Sequence, residues 1–108
     1  MNDDLKTRIT QTIGSNRIML FMKGNPSMPQ CGFSAAVVSI LKDVGVQFGS
    51  FNILADQEMR EGLKEFSSWP TFPQLYVDGQ LVGGCDIVRE MHAKGELAPL
   101  LKTAPAAS

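Results

Sequence analysis

Cysteine is scarce in this chain. Only Cys31 and Cys85 occur among 108 residues, too few for the disulfide framework of a small secreted domain. Charge of one sign is also lacking: 10 Lys and Arg against 11 Asp and Glu leave a net charge of −1. That balance excludes a general electrostatic pull on nucleic acid or an anionic membrane, so any bound anion has to be held by a local cluster. Long apolar runs are missing too. The longest, Ile18-Met19-Leu20-Phe21-Met22, falls far short of the roughly 18 residues of a transmembrane helix. Residues 1–15 contain neither an apolar signal-peptide core nor an Arg-rich transit pattern. The expectation is a reducing compartment, most simply the cytoplasm, with no nucleic-acid and no membrane partner. A hydrophobic content of 44% suits an ordinary globular core, and the length suits one domain over residues 1–108. The small, polar residues 103–108 are expected to form a flexible tail.

Periodicity organises the rest. Leu5, Ile9 and Ile13 recur on one helical face before Gly14. The apolar run 18–22 reads as a buried strand, and the Gly- and Pro-containing stretch 24–30 as a loop. Phe33, Val37, Leu41 and Val44 restore the helical period up to Gly45. Val46, Phe48, Phe51 and Ile53 suggest a second strand. Asp56 is a candidate N-cap for a helix whose apolar stripe is Met59, Leu63 and Phe66. Two apolar runs flank Asp78-Gly79, the signature of a type I′ hairpin. Asp86 is a candidate cap for a helix through Met91 that stops at Gly95, and Leu97, Leu100 and Leu101 suggest a short last helix. The order α-β-α-β-α-β-β-α predicts an α/β fold: a mixed four-stranded sheet with helices on both faces.

Cys31 carries the chemistry. It ends the 24–30 loop and precedes a helix start, where unpaired N–H groups and about half a positive charge favour thiolate over thiol. Lys23 adds a second positive group. A free cysteine at an arbitrary position is usually a small buried hydrophobe, but at this junction the activated thiolate is the better reading. In the motif Cys31-Gly32-Phe33-Ser34 a hydroxyl stands where a resolving thiol would be, so an internal dithiol cycle in the motif is excluded. Exchange with an external thiol and binding of a soft metal centre both remain open. Cys85 suits packing near a helix start, with a resolving thiol or a metal ligand as alternatives. His92 reads as a solvated surface residue, and the six methionines read as core filler.

Other residues suggest a small anionic ligand. Gly83-Gly84-Cys85-Asp86 places backbone N–H groups at a helix start, a ready carboxylate site, and Asp86 is also able to meet a ligand ammonium. Lys23, Arg60 and Lys64 supply positive charge, the last two sharing a helix face. Taken alone, that pair would more often be merely solvated. Trp69-Pro70-Thr71-Phe72-Pro73 interrupts regular pairing ahead of the hairpin. Nothing in the local sequence tells whether Pro73 is cis.

Together, Lys23, Cys31-Gly32-Phe33-Ser34, Trp69-Pro70-Thr71-Phe72-Pro73 and Gly83-Gly84-Cys85-Asp86 resemble the monothiol glutaredoxins of the CGFS type, over about residues 3–101. The resemblance implies a thioredoxin-like fold, a cis Pro73 facing Cys31, and glutathione lying in the groove between them. It implies that Lys23 and Arg60 meet the glycyl carboxylate of glutathione, that the backbone of Phe72 pairs with its cysteinyl unit, and that Cys85 and Asp86 hold its γ-glutamyl end. It further implies a [2Fe-2S] cluster bridging a homodimer through Cys31, delivery of that cluster to apo iron-sulfur proteins, a part in iron homeostasis, and BolA-type partners. A ligand count agrees with the dimer: such a cluster takes four thiolates, two Cys31 thiolates supply half, and two glutathione thiols complete the set. The expectation is a cluster carrier. The alternatives are a glutathione-dependent oxidoreductase, with Cys31 as catalytic nucleophile, and a regulatory module in which a partner protein replaces one subunit.

Overall fold

A computed structural model describes residues 1–102; the tail expected at 103–108 lies outside the described residues. Helix α1 (Asp3–Ile13) starts at Asn2, whose side chain accepts the Leu5 N–H. Strand β1 (Ile18–Met22) is buried along its whole length. Its alternation sends Ile18, Leu20 and Met22 into one core and Met19 and Phe21 into another. A strand covered on both faces has to be continuously apolar, and this one is.

The segment expected to be plain loop is partly ordered. Gly24–Asn25 (β2) and Met28–Pro29 (β3) form a two-stranded hairpin. The Asn25 side chain closes it by accepting the Ser27 and Met28 N–H groups at 3.1 and 2.9 Å. Gly24 is required there: its φ is +88°, and an added Cβ would lie 2.5 Å from the Met28 carbonyl oxygen.

Helix α2 (Gly32–Val44) ends at Gly45 in the left-handed conformation. The second main strand is shorter than periodicity suggests. Strand β4 covers only Gly49–Asn52, and Val46 and Phe48 pack on the core ahead of it. Ile53 opens a single 3-10 turn because the Asn52 side chain accepts the Leu54 N–H at 3.0 Å, turning the chain out of the sheet. Asp56 caps α3 (Gln57–Ser67) as expected, accepting from Met59 N–H at 3.0 Å. Phe66 is not part of the buried stripe. It lies rotated by about 60° from Leu63 around the helix and is exposed, while Met59 and Leu63 are buried. Methionine is not uniformly core either: Met19, Met22 and Met59 are buried, but Met1 and the hairpin residue Met28 are exposed.

Strands β5 (Gln74–Val77) and β6 (Gln80–Gly83) flank Asp78-Gly79, both at positive φ, as a type I′ turn demands. Helix α4 (Cys85–Ala93) corrects one expectation. Its N-cap is Gly84, and Asp86 stands in the first turn, where a carboxylate still complements the helix terminus. Helix α5 (Leu97–Lys102) follows.

The sheet order is β4-β1-β5-β6, with β4 parallel to β1 and the other two pairings antiparallel. One core joins α1 and α3 to the sheet, the other α2, α4 and α5. This is the mixed, two-sided α/β architecture expected. The register gathers the site: Phe21 pairs with Gln74, and Leu75 with Gly83. The end of β1, the start of β5 and the end of β6 therefore meet at one end of the sheet. Residues 23–31, 69–73 and 84–87 have to converge there.

Candidate functional site

Cys31 is the N-cap residue of α2 and is partly exposed. Its thiol is held below the ordinary value, chiefly by the Ser34 amide. Burial opposes this, and the Phe33 amide, the Lys23 charge and the Ser34 hydroxyl add to the lowering. The sulfur makes no well-formed capping hydrogen bond; it lies in the field of the first-turn amides, which favours the anion.

Ser34 is fully buried and accepts the Lys23 N–H at 3.1 Å. The Lys23 carbonyl in turn accepts from Gln30 N–H at 2.8 Å. Gly24 N–H donates to Asn52 at 2.9 Å, tying the hairpin to the end of β4.

Beside this loop runs a groove of about 630 Å³, within the range of small-molecule sites. Lys23, Arg60 and Lys64 bring positive charge to it. Trp69, Thr71, Phe72 and Pro73 form another wall, and Gly84, Cys85 and Asp86 form the start of α4 at its side. The Phe72–Pro73 peptide is cis. A Cβ on residue 84 would come within 3.2 Å of the Pro73 carbonyl oxygen and 3.3 Å of Trp69 Nε1, so glycine lets α4 begin hard against this wall.

Six of the site residues named from the sequence thus line one cavity: Lys23, Arg60, Phe72, Pro73, Cys85 and Asp86. Cys31 is not itself a lining residue, although its motif partner Phe33 and its charge partner Lys23 both are. Cys85 is buried, and burial pushes its thiol up; Arg89 opposes, while Asp86 and the charge of Cys31 push the same way. Of the two sulfurs, only Cys31 is prepared as a thiolate. His92 is a surface residue as expected, paired with Asp43 at 3.1 Å. Lys64 shares its charge with Glu61 at 3.1 Å.

Sequence reasoning passed over Gln74, Asn52 and the bond that Ser34 accepts from Lys23. Gln74 is completely buried at the head of β5 and holds the carbonyls of Trp69 and Thr71. Its signal was present: it is the one polar residue in the run Gln74-Leu75-Tyr76-Val77 directly after Pro73.

A mixed four-stranded sheet flanked by helices, with an activated cysteine at the start of a helix and a cis-proline on the neighbouring loop, defines a thiol protein of thioredoxin-like fold. The Glutaredoxin family pattern matches residues 18–82. The chain is 59% identical over 100 residues to monothiol glutaredoxin-S17 of Arabidopsis thaliana, covering 93% of this chain and 20% of that one. It is 55% identical over 101 residues to probable monothiol glutaredoxin 2 of Rickettsia typhi, covering 94% and 90%. It therefore spans about a fifth of the plant relative and most of the rickettsial one. Reduced apo GrxS14 of poplar superposes with a TM-score of 0.76 at 54% identity, covering 87% of this chain and 86% of that one. A buckwheat glutaredoxin–glutathione complex superposes at 0.80 with 24% identity over 94% and 93%, sharing the fold. The chain belongs to the glutaredoxin family, in its monothiol CGFS group.

Proposed function

We propose that this glutaredoxin binds glutathione along the groove and, as a homodimer, carries a labile [2Fe-2S] cluster. Its role is to hand that cluster to apo iron-sulfur proteins and so to take part in iron homeostasis. The observation that carries the reading is the pairing of a thiolate-favoured Cys31 with a buried, hydrogen-bonded Ser34, beside a groove bearing Lys23, Arg60 and Lys64.

Glutathione brings two carboxylates, one ammonium and one thiol. Lys23 and Arg60 take the glycyl carboxylate, and the Phe72 backbone pairs with the cysteinyl unit. The γ-glutamyl end meets the first turn of α4 at Cys85, with Asp86 opposite the ammonium. The ligand's identity rests on the charges of the groove and on membership of the glutaredoxin family.

The donor set suits a shared cluster. No group of three or more His, Cys, Asp or Glu side chains able to hold a metal occurs among the described residues. Burial pushes the Cys85 thiol up, so Cys31 is the thiolate each chain is best prepared to offer. Two chains and two glutathione thiols make the four sulfur ligands such a cluster takes. With half the ligands being exchangeable small molecules, the cargo is easily released. BolA-type proteins as partners rest on the family resemblance. A reducing compartment, most simply the cytoplasm, belongs to the same proposal, because the free thiolate has to be preserved.

Anaerobic reconstitution with iron, sulfide and glutathione tests this. Visible sulfur-to-iron absorption and a native mass of two chains, two glutathiones and one [2Fe-2S] cluster are expected. No absorption, or absorption that survives Cys31→Ser, overturns the proposal.

The partial exposure of Cys31 favours a second reading, glutathione-dependent oxidoreduction. Its thiolate attacks the glutathione sulfur of a protein mixed disulfide and releases the protein thiolate. A second glutathione thiolate then attacks the Cys31–glutathione disulfide, yielding oxidised glutathione and regenerating Cys31. Turnover of a glutathionylated protein no faster than with free glutathione alone rejects it.

A further inference from the structure

The groove wall at residues 69–73 contains two prolines, Pro70 and Pro73, which offer no N–H to any ladder. Trp69 N–H turns back toward α3, to the Lys64 carbonyl and the Ser67 hydroxyl. What ties the carbonyl side of this wall to the sheet is one side chain. Gln74 Nε2 donates to the Trp69 carbonyl at 3.1 Å and to the Thr71 carbonyl at 3.2 Å. Its Oε1 accepts the Tyr76 hydroxyl at 3.0 Å. Both amide donors are thus committed to the wall, and the acceptor to the core.

Gln74 is completely buried, and Tyr76 nearly so. Tyr76 packs edge-on against Phe21 with ring centroids 5.5 Å apart, in the core shared with α1 and α3. A buried amide with these bonds is held in one orientation, since losing them would strand polar atoms away from water. The chain Tyr76–Gln74–Trp69/Thr71 hangs a proline-interrupted segment, which has no ladder of its own, from a sheet strand.

We propose that Gln74 is a positioning residue for the ligand groove: it sets the placement of Trp69 and Thr71, and through them the affinity for glutathione. The inference rests on the glutathione reading above and adds a residue that touches the wall from behind. It separates two supports. The Gln74 chain holds the wall, while Ser34 and the α2 amides govern Cys31.

Gln74→Met keeps an unbranched side chain and removes both donors and the acceptor. Trp69 is the only tryptophan, so its fluorescence reports the wall directly. In the full chain, Gln74→Met is expected to increase acrylamide quenching of Trp69. It should weaken glutathione binding about tenfold by titration calorimetry, the scale of one or two lost hydrogen bonds. The alkylation rate of Cys31 should stay at the wild-type value. A lowered melting temperature with unchanged quenching and unchanged glutathione affinity overturns the proposal and leaves Gln74 a purely structural residue. Tyr76→Phe, which removes only the hydroxyl anchor, is expected to act in the same direction more weakly and decides the matter by the same criteria if Gln74→Met does not fold. If the wild-type chain binds no glutathione, the glutathione reading fails by itself. Trp69 quenching then still decides whether Gln74 positions the wall.

Discussion

The backbone N–H of Lys23 donates to the buried hydroxyl of Ser34 at 3.1 Å. This bond ties the end of β1 to the first turn of α2, with Cys31 held between. Ser34 is therefore more than the absence of a resolving thiol. It accepts from the residue whose charge favours the Cys31 thiolate, and its hydroxyl and amide act on that thiolate themselves. Ser34→Ala removes the smallest contribution to the Cys31 thiolate and leaves the Ser34 amide in place. It is therefore expected to raise the Cys31 pKa and slow alkylation at neutral pH by about two- to fivefold, less than a full hydrogen bond to a charged group would give. The pH dependence of iodoacetamide reaction measures it, and an unmoved profile would contradict the assignment.

The lowered Cys31 pKa also links stability to pH. A group whose folded pKa lies below its unfolded value binds its proton more weakly when folded. Its stabilisation is fully present above the unfolded pKa, near 9.0, and is lost as pH falls through the lowered folded value. The melting-temperature advantage of the native chain over Cys31→Ser should therefore shrink as pH is lowered from about 9 through that window. A difference that grows toward low pH would mean the thiol is not depressed.

Lys23→Glu places a negative charge where the groove needs a positive one and beside a thiolate. Glutathione binding should weaken by at least about tenfold, the reconstituted cluster should decay faster, and Cys31 alkylation should slow. The circular-dichroism spectrum should be unchanged, because Lys23 contributes to the fold through its backbone bonds. Unaltered glutathione affinity would show the electrostatic assignment to be wrong.

Two fold predictions concern the supports of the site. Gly24→Ala forces a Cβ against the Met28 carbonyl at a positive φ, and a cost of about 1–3 kcal/mol by denaturant unfolding is expected. Asp56→Ala removes the cap of α3, the helix that carries Arg60 and Lys64, and should cost about 1 kcal/mol at neutral pH. The Asp56 carboxyl is held below its ordinary value, first by the Met59 amide and then by Arg8. Its contribution should therefore fade as pH falls below about 3.8, through that lowered value.

Much of this molecule is written locally. The buried run 18–22, the Asp56 cap, the Asp78-Gly79 turn and the Gly45 stop each depend on residues within a few positions. So does the identity of the key thiol, because a cysteine before a helix start meets its own helix's amides. The four motifs, taken in order, were enough to indicate the family. Where local reading failed, the deciding partner was distant or its geometry was not encoded by residue type. Ile53 left its strand because Asn52 captured a neighbouring amide, and Phe66 missed the core through helical rotation. The α4 cap fell to Gly84, whose missing Cβ leaves room for the Pro73 carbonyl.

By itself the sequence determined the element order, the two apolar faces of the sheet and the single activated sulfur, since these follow from periodicity and nearest neighbours. Only tertiary structure decided which side chains share the groove, that burial pushes the Cys85 thiol up, and that Gln74 braces the wall. Pairing Phe21 with Gln74 joins residues more than fifty positions apart, and pairing Leu75 with Gly83 adds the start of α4 to them; burial and hydrogen-bond partnership exist only once those pairings have formed.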